Sequence, residues 1–278
     1  MRLRIGLLAG KPQQPMTGAD PTSTDRHGGE VDQRPAIYDR IGTTYRRTRQ
    51  PDPRIAAAIH SALGSGENLL NVGAGTGNYE PHDRPVIAVE PSETMIRQRI
   101  GDVPVLRAVA EHLPFPDVTF HAAMALLTIH HWSDPAAGLR ELRRVSHRQI
   151  VWFCEPLSVH NFWPLEYFPA ATSLAVVQDP PGETVLRANL DVSEIRTVLI
   201  PRDCRDGFGA AYWARPDAYL DPEVAAGMSW LAMLTPEARQ AGTRRLAADL
   251  ASGAWHRRHG HLQSRNSFDG GLRIAIAA

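Results

Sequence analysis

Short apolar runs alternate with stretches of helical periodicity along most of this chain. The apolar runs predict strands near 68–72, 85–90, 103–107, 119–127 and 149–155, and helical patterns fall at 53–63, 92–100 and 135–146. Ser92 and Asp134 stand where an N-cap belongs, and Pro135 suits a first turn, where no backbone amide is needed. Strands that alternate with helices predict an α/β fold, a parallel sheet with helices on both faces. Val192 to Pro201 and Leu272 to Ala277 are the remaining strand candidates. Between them Arg215 to Leu262 reads as a helical insertion, with Leu231, Leu234, Ala238, Leu246 and Leu250 as core positions.

Composition narrows the class. A chain of 278 residues, 43% of them hydrophobic, can bury a sizeable core, and one domain carrying the insertion is expected. Lys plus Arg and Asp plus Glu both total 30, so no overall field draws the chain to nucleic acid or to a membrane. Arg46-Arg47 and Arg257-Arg258 read as solvated helix faces. No run approaches the roughly 20 apolar residues of a membrane span, and Ile5 to Gly10 is too short for a signal peptide. Cys154 and Cys204 lack CxxC spacing, which predicts buried thiols in a cytoplasmic protein. The stretch from Lys11 to Pro35 is rich in Pro, Gly, Asp, Gln and Thr, so residues 1–35 are expected to be a flexible extension. That extension is long enough to reach another copy, which leaves a homo-oligomer open.

The chemistry concentrates at Leu69 to Glu80. A short apolar strand runs into Gly73, Gly75 and Gly77 on alternate positions, and glycine tolerates positive φ and leaves no Cβ to collide with a ligand. The next strand, Val86 to Val89, ends in Glu90, where a carboxylate can accept from both hydroxyls of a ribose. Together they point to a nucleoside. A dinucleotide loop needs G-x-G-x-x-G, whereas this chain has G-x-G-x-G, and no Gly-Lys-Ser/Thr follows to make a phosphate loop.

The compressed glycine spacing with its strand-end acid resembles the class I S-adenosylmethionine-dependent methyltransferases. Tyr38-Asp39-Arg40-Ile41-Gly42 with Tyr45, Ala110 to Asp117, and Ile129 to Pro135 are similar to the small-molecule, quinone-biosynthesis-like branch of that family. Asp203 to Phe208, Tyr219 to Pro222 and Ser252 to Gly260 resemble a bacterial subgroup of it, and the likeness covers roughly residues 36 to 278. It implies a Rossmann-like seven-stranded sheet with an antiparallel final pair, and S-adenosyl-L-methionine as cofactor. The cofactor contacts it implies are Tyr38, Tyr45, Arg49, Asn71, Gly73, Ala74, Gly75, Gly77, Glu90, Pro91, Ala110, Glu111 and Leu127. Arg49 is expected to meet the methionine carboxylate. The chain departs from the pattern at Asn71, where an acid is usual, and at Val109, where an acid often takes the adenine amino group. Val145 to Gln149 replace the usual Pro-Gly-Gly and predict a tightened loop.

Methyl transfer from a sulfonium chiefly requires alignment, so no catalytic constellation is obligatory. His130 and His131 follow the fourth strand, and either imidazole is a candidate base titrating near neutral pH; packing and helix anchoring are the other roles open to them. Trp152, Phe162, Trp163 and Tyr167, with Glu155 among them, are candidates for an acceptor wall, and residues 156–175 for a lid. His256, His259 and His261 have no acid or thiol beside them, so no metal is expected. The function expected is methylation of a small, largely apolar metabolite on oxygen, nitrogen or carbon, in secondary metabolism. An NAD(P)-dependent oxidoreductase and a non-catalytic nucleoside-binding protein are the alternatives.

Overall fold

Leu69–Val72, buried along its whole length, is an interior strand of a seven-stranded sheet. Numbered along the chain, the strands are β1 Leu69–Val72, β2 Val86–Val89, β3 Val105–Leu106, β4 Phe120–Leu126, β5 Ser146–Cys154, β6 Val192–Thr197, β7 Ile200–Pro201, β8 Ser267–Phe268 and β9 Leu272–Ala277. The computed structural model describes residues 38–39, 45–157 and 161–278, all within the unit Pro35–Ala278, so the extension expected at 1–35 lies outside the described residues. The sheet order is β3-β2-β1-β4-β5-β9-β6. The first five strands run parallel, and β9 is antiparallel to both β5 and β6.

Strand periodicity assigns the two faces. Leu69, Ile150, Trp152, Ile274 and Ile276 join one core with Ile55 and Ile59 of the helix Pro53–Leu63 and with the insertion. Leu70, Val72, Val151, Phe153 and Ala275 join the other, against Leu139 and Leu142 of the helix Pro135–Val145 and Leu186 of the helix Glu183–Asn189. Ser92 and Asp134 are N-caps, accepting from the amides of Met95 and Ala137.

Three elements differ from the sequence pattern, each for a local reason. Val192 to Pro201 is broken: after Val198 donates to the Leu272 carbonyl, Ile200–Pro201 leaves the main sheet and pairs with β8, and Pro201 has no amide to extend a ladder. The helix expected over 92–100 stops at Arg97, and the chain turns through Gly101 at φ 99°. The tightened loop after residue 145 has vanished altogether, since the helix Pro135–Val145 passes directly into β5 at Ser146.

The region between β7 and β8 is a series of helices, mostly short, with Pro236–Ala251 the longest at 16 residues. Pro216, Pro222 and Pro236 each open one at a first-turn position, and Asp221 and Thr235 cap the latter two. Leu231, Leu234 and Leu246 are buried there, whereas Ala238 and Leu250 pack against the core from a half-buried position. No helix among the described residues is long and apolar enough to cross a membrane.

Candidate active site

Parallel strands bring their carboxyl ends to one side of the sheet, and the strand order reverses between β1 and β4, where open α/β sheets bind ligands. Gly73, Glu90 and Leu127 each follow directly on β1, β2 and β4, and Ala110 lies in the segment after β3.

Gly73, Gly75 and Gly77 have φ of 65°, 53° and 87°, a region that side chains avoid. The structure separates their roles. A Cβ on Gly73 would lie 2.1 Å from Thr128 Oγ1, and one on Gly77 would lie 2.9 Å from Glu80 Oε2. A Cβ on Gly75 would lie 3.2 Å from Met95 Cε, a tight contact with the far end of a flexible side chain. All three glycines thus answer to neighbouring side chains, Gly75 least tightly.

Glu90 is buried, and burial pushes its carboxyl up from the ordinary value. Its oxygens accept from the amides of Gly75 at 2.8 Å and Ser92 at 2.9 Å. Each oxygen keeps a further lone pair for a sugar hydroxyl. A carboxylate aimed by two amides, beside the glycine loop, fits the ribose of S-adenosylmethionine. Neither Asn71 nor Glu111 is free in the same way. Asn71 Nδ2 donates to Glu80 Oε1 at 2.8 Å. Glu111 Oε1 accepts from the Ser133 amide and hydroxyl and from the Asp134 amide, so it braces the loop after β4. Ala74 donates its amide to the Val89 carbonyl, and the Pro91 carbonyl accepts from Arg107.

Tyr38 and Tyr45 meet edge to face, 5.4 Å between centroids. Asp39 accepts from the Ser92 hydroxyl and the Thr94 amide, and Arg46 donates to the Gln98 carbonyl. Arg49 departs from expectation. Its guanidinium is buried against Asp206, Nε to Oδ1 at 2.5 Å, and donates to the Tyr45 hydroxyl, so its charge already has a carboxylate partner. Asp206 also accepts from the Tyr79 hydroxyl.

His130 and His131 lie in a 3₁₀ turn, rings 4.1 Å apart. His131 Nε2 is 3.0 Å from the Tyr38 hydroxyl, whereas His130 Nδ1 is buried with no partner among the described residues. Burial and the nearby Arg49 charge lower His130 to about 4, and burial together with the His130 and Arg49 charges holds His131 well below the ordinary imidazole value. Both rings are consequently neutral at physiological pH, and the titration near neutrality expected from sequence is absent. Leu127 is one of the few non-glycine residues at positive φ, 51°, which holds the chain tightly as it leaves β4.

A cavity of about 80 Å³ adjoins this point, lined by Leu127 and His130 after β4 and by Tyr38 and Arg49 from the N-terminal side. Cys154, Leu157, Val176, Val177, Phe208, Ser229, Trp230 and Leu272 complete a mainly apolar wall. None of the five aromatic and acidic residues expected to bind the acceptor lines it. Trp152 is inside the core between Tyr79 and Phe208, and Phe162 packs on Trp230. Trp163 donates to the Trp213 carbonyl at 2.7 Å and is boxed in by Tyr219 and Trp255. Tyr167 bonds Asp249, and Glu155 pairs with Arg273 at 2.8 Å. Their clustering reflects the insertion's own core. The rest of the cavity wall comes from segments distant in sequence, of which only Asp203 to Phe208 carried a local motif. His259 does have an acid beside it, Glu166 at 3.2 Å from another element, yet no group of three or more potential ligands is placed to hold a metal among the described residues.

Comparison with known proteins agrees with this geometry. A family model described as a methyltransferase domain matches residues 70–149. A solved structure described as a methyltransferase from an antibiotic biosynthesis pathway of Anabaena variabilis is 31% identical, covering 83% of this chain and 99% of that one, with a TM-score of 0.76. The O-methyltransferase resE of Aspergillus sclerotiorum is 26% identical over 182 residues, 57% of this chain and 66% of the relative. The uncharacterized methyltransferase YcgJ of Bacillus subtilis is 29% identical over 89 residues, 28% of this chain and 35% of the relative. The chain therefore spans about a third and just under two-thirds of these two curated relatives. Both the oxidoreductase and the non-catalytic readings are set aside. The chain belongs to the class I S-adenosylmethionine-dependent methyltransferases.

Proposed function

We propose that this methyltransferase acts on a small, largely apolar metabolite in secondary metabolism. The observation that carries the reading is the apolar cavity opening beside Leu127 and His130, at the end of the sheet where Gly75 and Glu90 face their ligand. The described pathway of the Anabaena relative supports the metabolic setting. Two free thiols suit a cytoplasmic location.

Bound S-adenosylmethionine supplies a sulfonium methyl for in-line attack by an oxygen, nitrogen or carbon nucleophile. The chain's residues align and dehydrate. Glu90 holds the sugar hydroxyls, and the apolar wall excludes water and positions the acceptor body. Such alignment supplies on the order of 7–11 kcal/mol of the barrier. Neutral His130 lines the cavity without bringing a charge to it, while the Tyr38 hydroxyl fixes the neighbouring His131 ring. Leu157, Val176 and Val177 close the cavity, the part that Trp163 was expected to play.

Replacement of the half-buried Leu157 tests the assignment. Leu157→Asp places a charge in the apolar wall, and is expected to raise KM for an apolar acceptor about ten-fold or more while S-adenosylhomocysteine affinity changes less than about two-fold. Unchanged acceptor kinetics would assign the acceptor elsewhere.

A further inference from the structure

Beneath the glycine loop lies a buried ion pair that the reading above does not use. Arg99 Nη2 donates to both oxygens of Glu80, at 2.8 and 2.7 Å, and the two side chains are 9% and 5% exposed. Taking both charges out of water is costly, and an apolar pair would hold two segments together as well. The pair's other contacts are with the end of β1 and the loop. Glu80 Oε1 accepts from Asn71 Nδ2 at 2.8 Å. Arg99 Nη1 donates to the Gly75 carbonyl at 3.1 Å. Gly77 lies over both, its would-be Cβ 2.9 Å from Glu80 Oε2 and 3.2 Å from Arg99 Cζ.

Gly75 is therefore held from both sides. Its amide donates to Glu90 and its carbonyl accepts from Arg99, which fixes the residue at φ 53° and with it the direction in which Glu90 points. We propose that Glu80 is a positioning residue for cofactor binding: by orienting Arg99 against the Gly75 carbonyl, it fixes the glycine loop and the aim of Glu90. The inference rests on the placement of S-adenosylmethionine against that loop. Glu80 touches no ligand in this scheme and acts wholly through Arg99 and Asn71.

Isothermal titration of S-adenosylhomocysteine into the full chain tests it. Glu80→Gln keeps the shape and removes the charge, and is expected to weaken binding about ten-fold or more, the scale of a lost charge-assisted hydrogen bond. With saturating cofactor, Glu80→Gln should show an unchanged kcat and a raised KM for S-adenosylmethionine, a split that general loosening of the fold would not give. If Glu80→Gln fails to fold, Arg99→Lys decides: lysine keeps the charge but cannot reach Glu80 and Gly75 together, so wild-type affinity there overturns the proposal. A folded Glu80→Gln with wild-type affinity overturns it too. A wild-type chain that binds no S-adenosylhomocysteine defeats the cofactor placement and this proposal together; wild-type binding with an unaffected Glu80→Gln defeats this proposal alone.

Discussion

Gly73 illustrates how much a single backbone position carries. Its φ of 65° already disfavours a side chain, and Thr128 occupies the space a Cβ would need. Gly73→Ala is expected to cost about 1–3 kcal/mol in urea unfolding, and Thr128→Ala in the same chain should recover part of that by removing the Oγ1 clash while leaving the backbone strain. Full additivity of the two changes would show that they do not touch. The histidines carry a second expectation at this scale. Because His130 is held at about 4, below its ordinary 6.5, the folded state takes up its proton later than the unfolded one; no stability is lost above about pH 6.5, and up to about 3 kcal/mol is lost as pH falls towards 4. Wild type should show that slope and His130→Asn should lack a share of it. The kcat profile should be flat between about pH 6 and 8, and a histidine limb near neutrality, removed in His131→Ala, would contradict the burial argument.

At the scale of elements, the short helix Tyr45–Thr48 is fastened by main chain to the segment that follows β7. The Gly207 amide donates to the Thr48 carbonyl at 3.0 Å, and a Cβ on Gly207 would come within 2.6 Å of that same oxygen. A backbone atom cannot rotate away, so Gly207→Ala should displace the helix that carries Tyr45 and leads into Arg49. S-adenosylhomocysteine affinity is expected to fall about ten-fold or more, with unfolding free energy reduced by only about 1–3 kcal/mol; equal affinity would separate this helix from the cofactor. Such clasps explain what could be read from sequence and what could not. Helix caps at Ser92 and Asp134, the apolar strands and the glycine loop are written in residues a few positions apart, and they stand where the pattern put them. Arg49 with Asp206, Arg99 with Glu80 and His259 with Glu166 join residues from separate segments, so no local spacing reveals them. The acceptor wall failed for the same reason: the aromatic run at Phe162 to Phe168 looks alike in sequence whether it faces a ligand or, as here, the tryptophans and tyrosines of the insertion.

Over the whole molecule, the candidate site is a junction. The ends of β1, β2 and β4 come from the sheet, Tyr38 and Arg49 from the N-terminal side, and Phe208 and Trp230 from the region between β7 and β8. A ligand that bridges these parts binds only when they are assembled, so its binding free energy adds to that of folding. At about 100 times its dissociation constant, S-adenosylhomocysteine should stabilise the chain by about 2.7 kcal/mol, which for a unit of this size raises Tm by roughly 5–10 °C. NADH should give no shift, because the loop lacks the glycine spacing that seats a pyrophosphate. The stabilisation should also spread: amide exchange at Tyr45–Thr48 and at Phe208 to Ala210 should slow together with that of the glycine loop, since Arg49 and Asp206 couple the first two through a buried ion pair. Slowing confined to the loop would mean that the N-terminal side and the insertion do not close on the ligand, and the cavity would then have to be assigned to packing rather than to an acceptor.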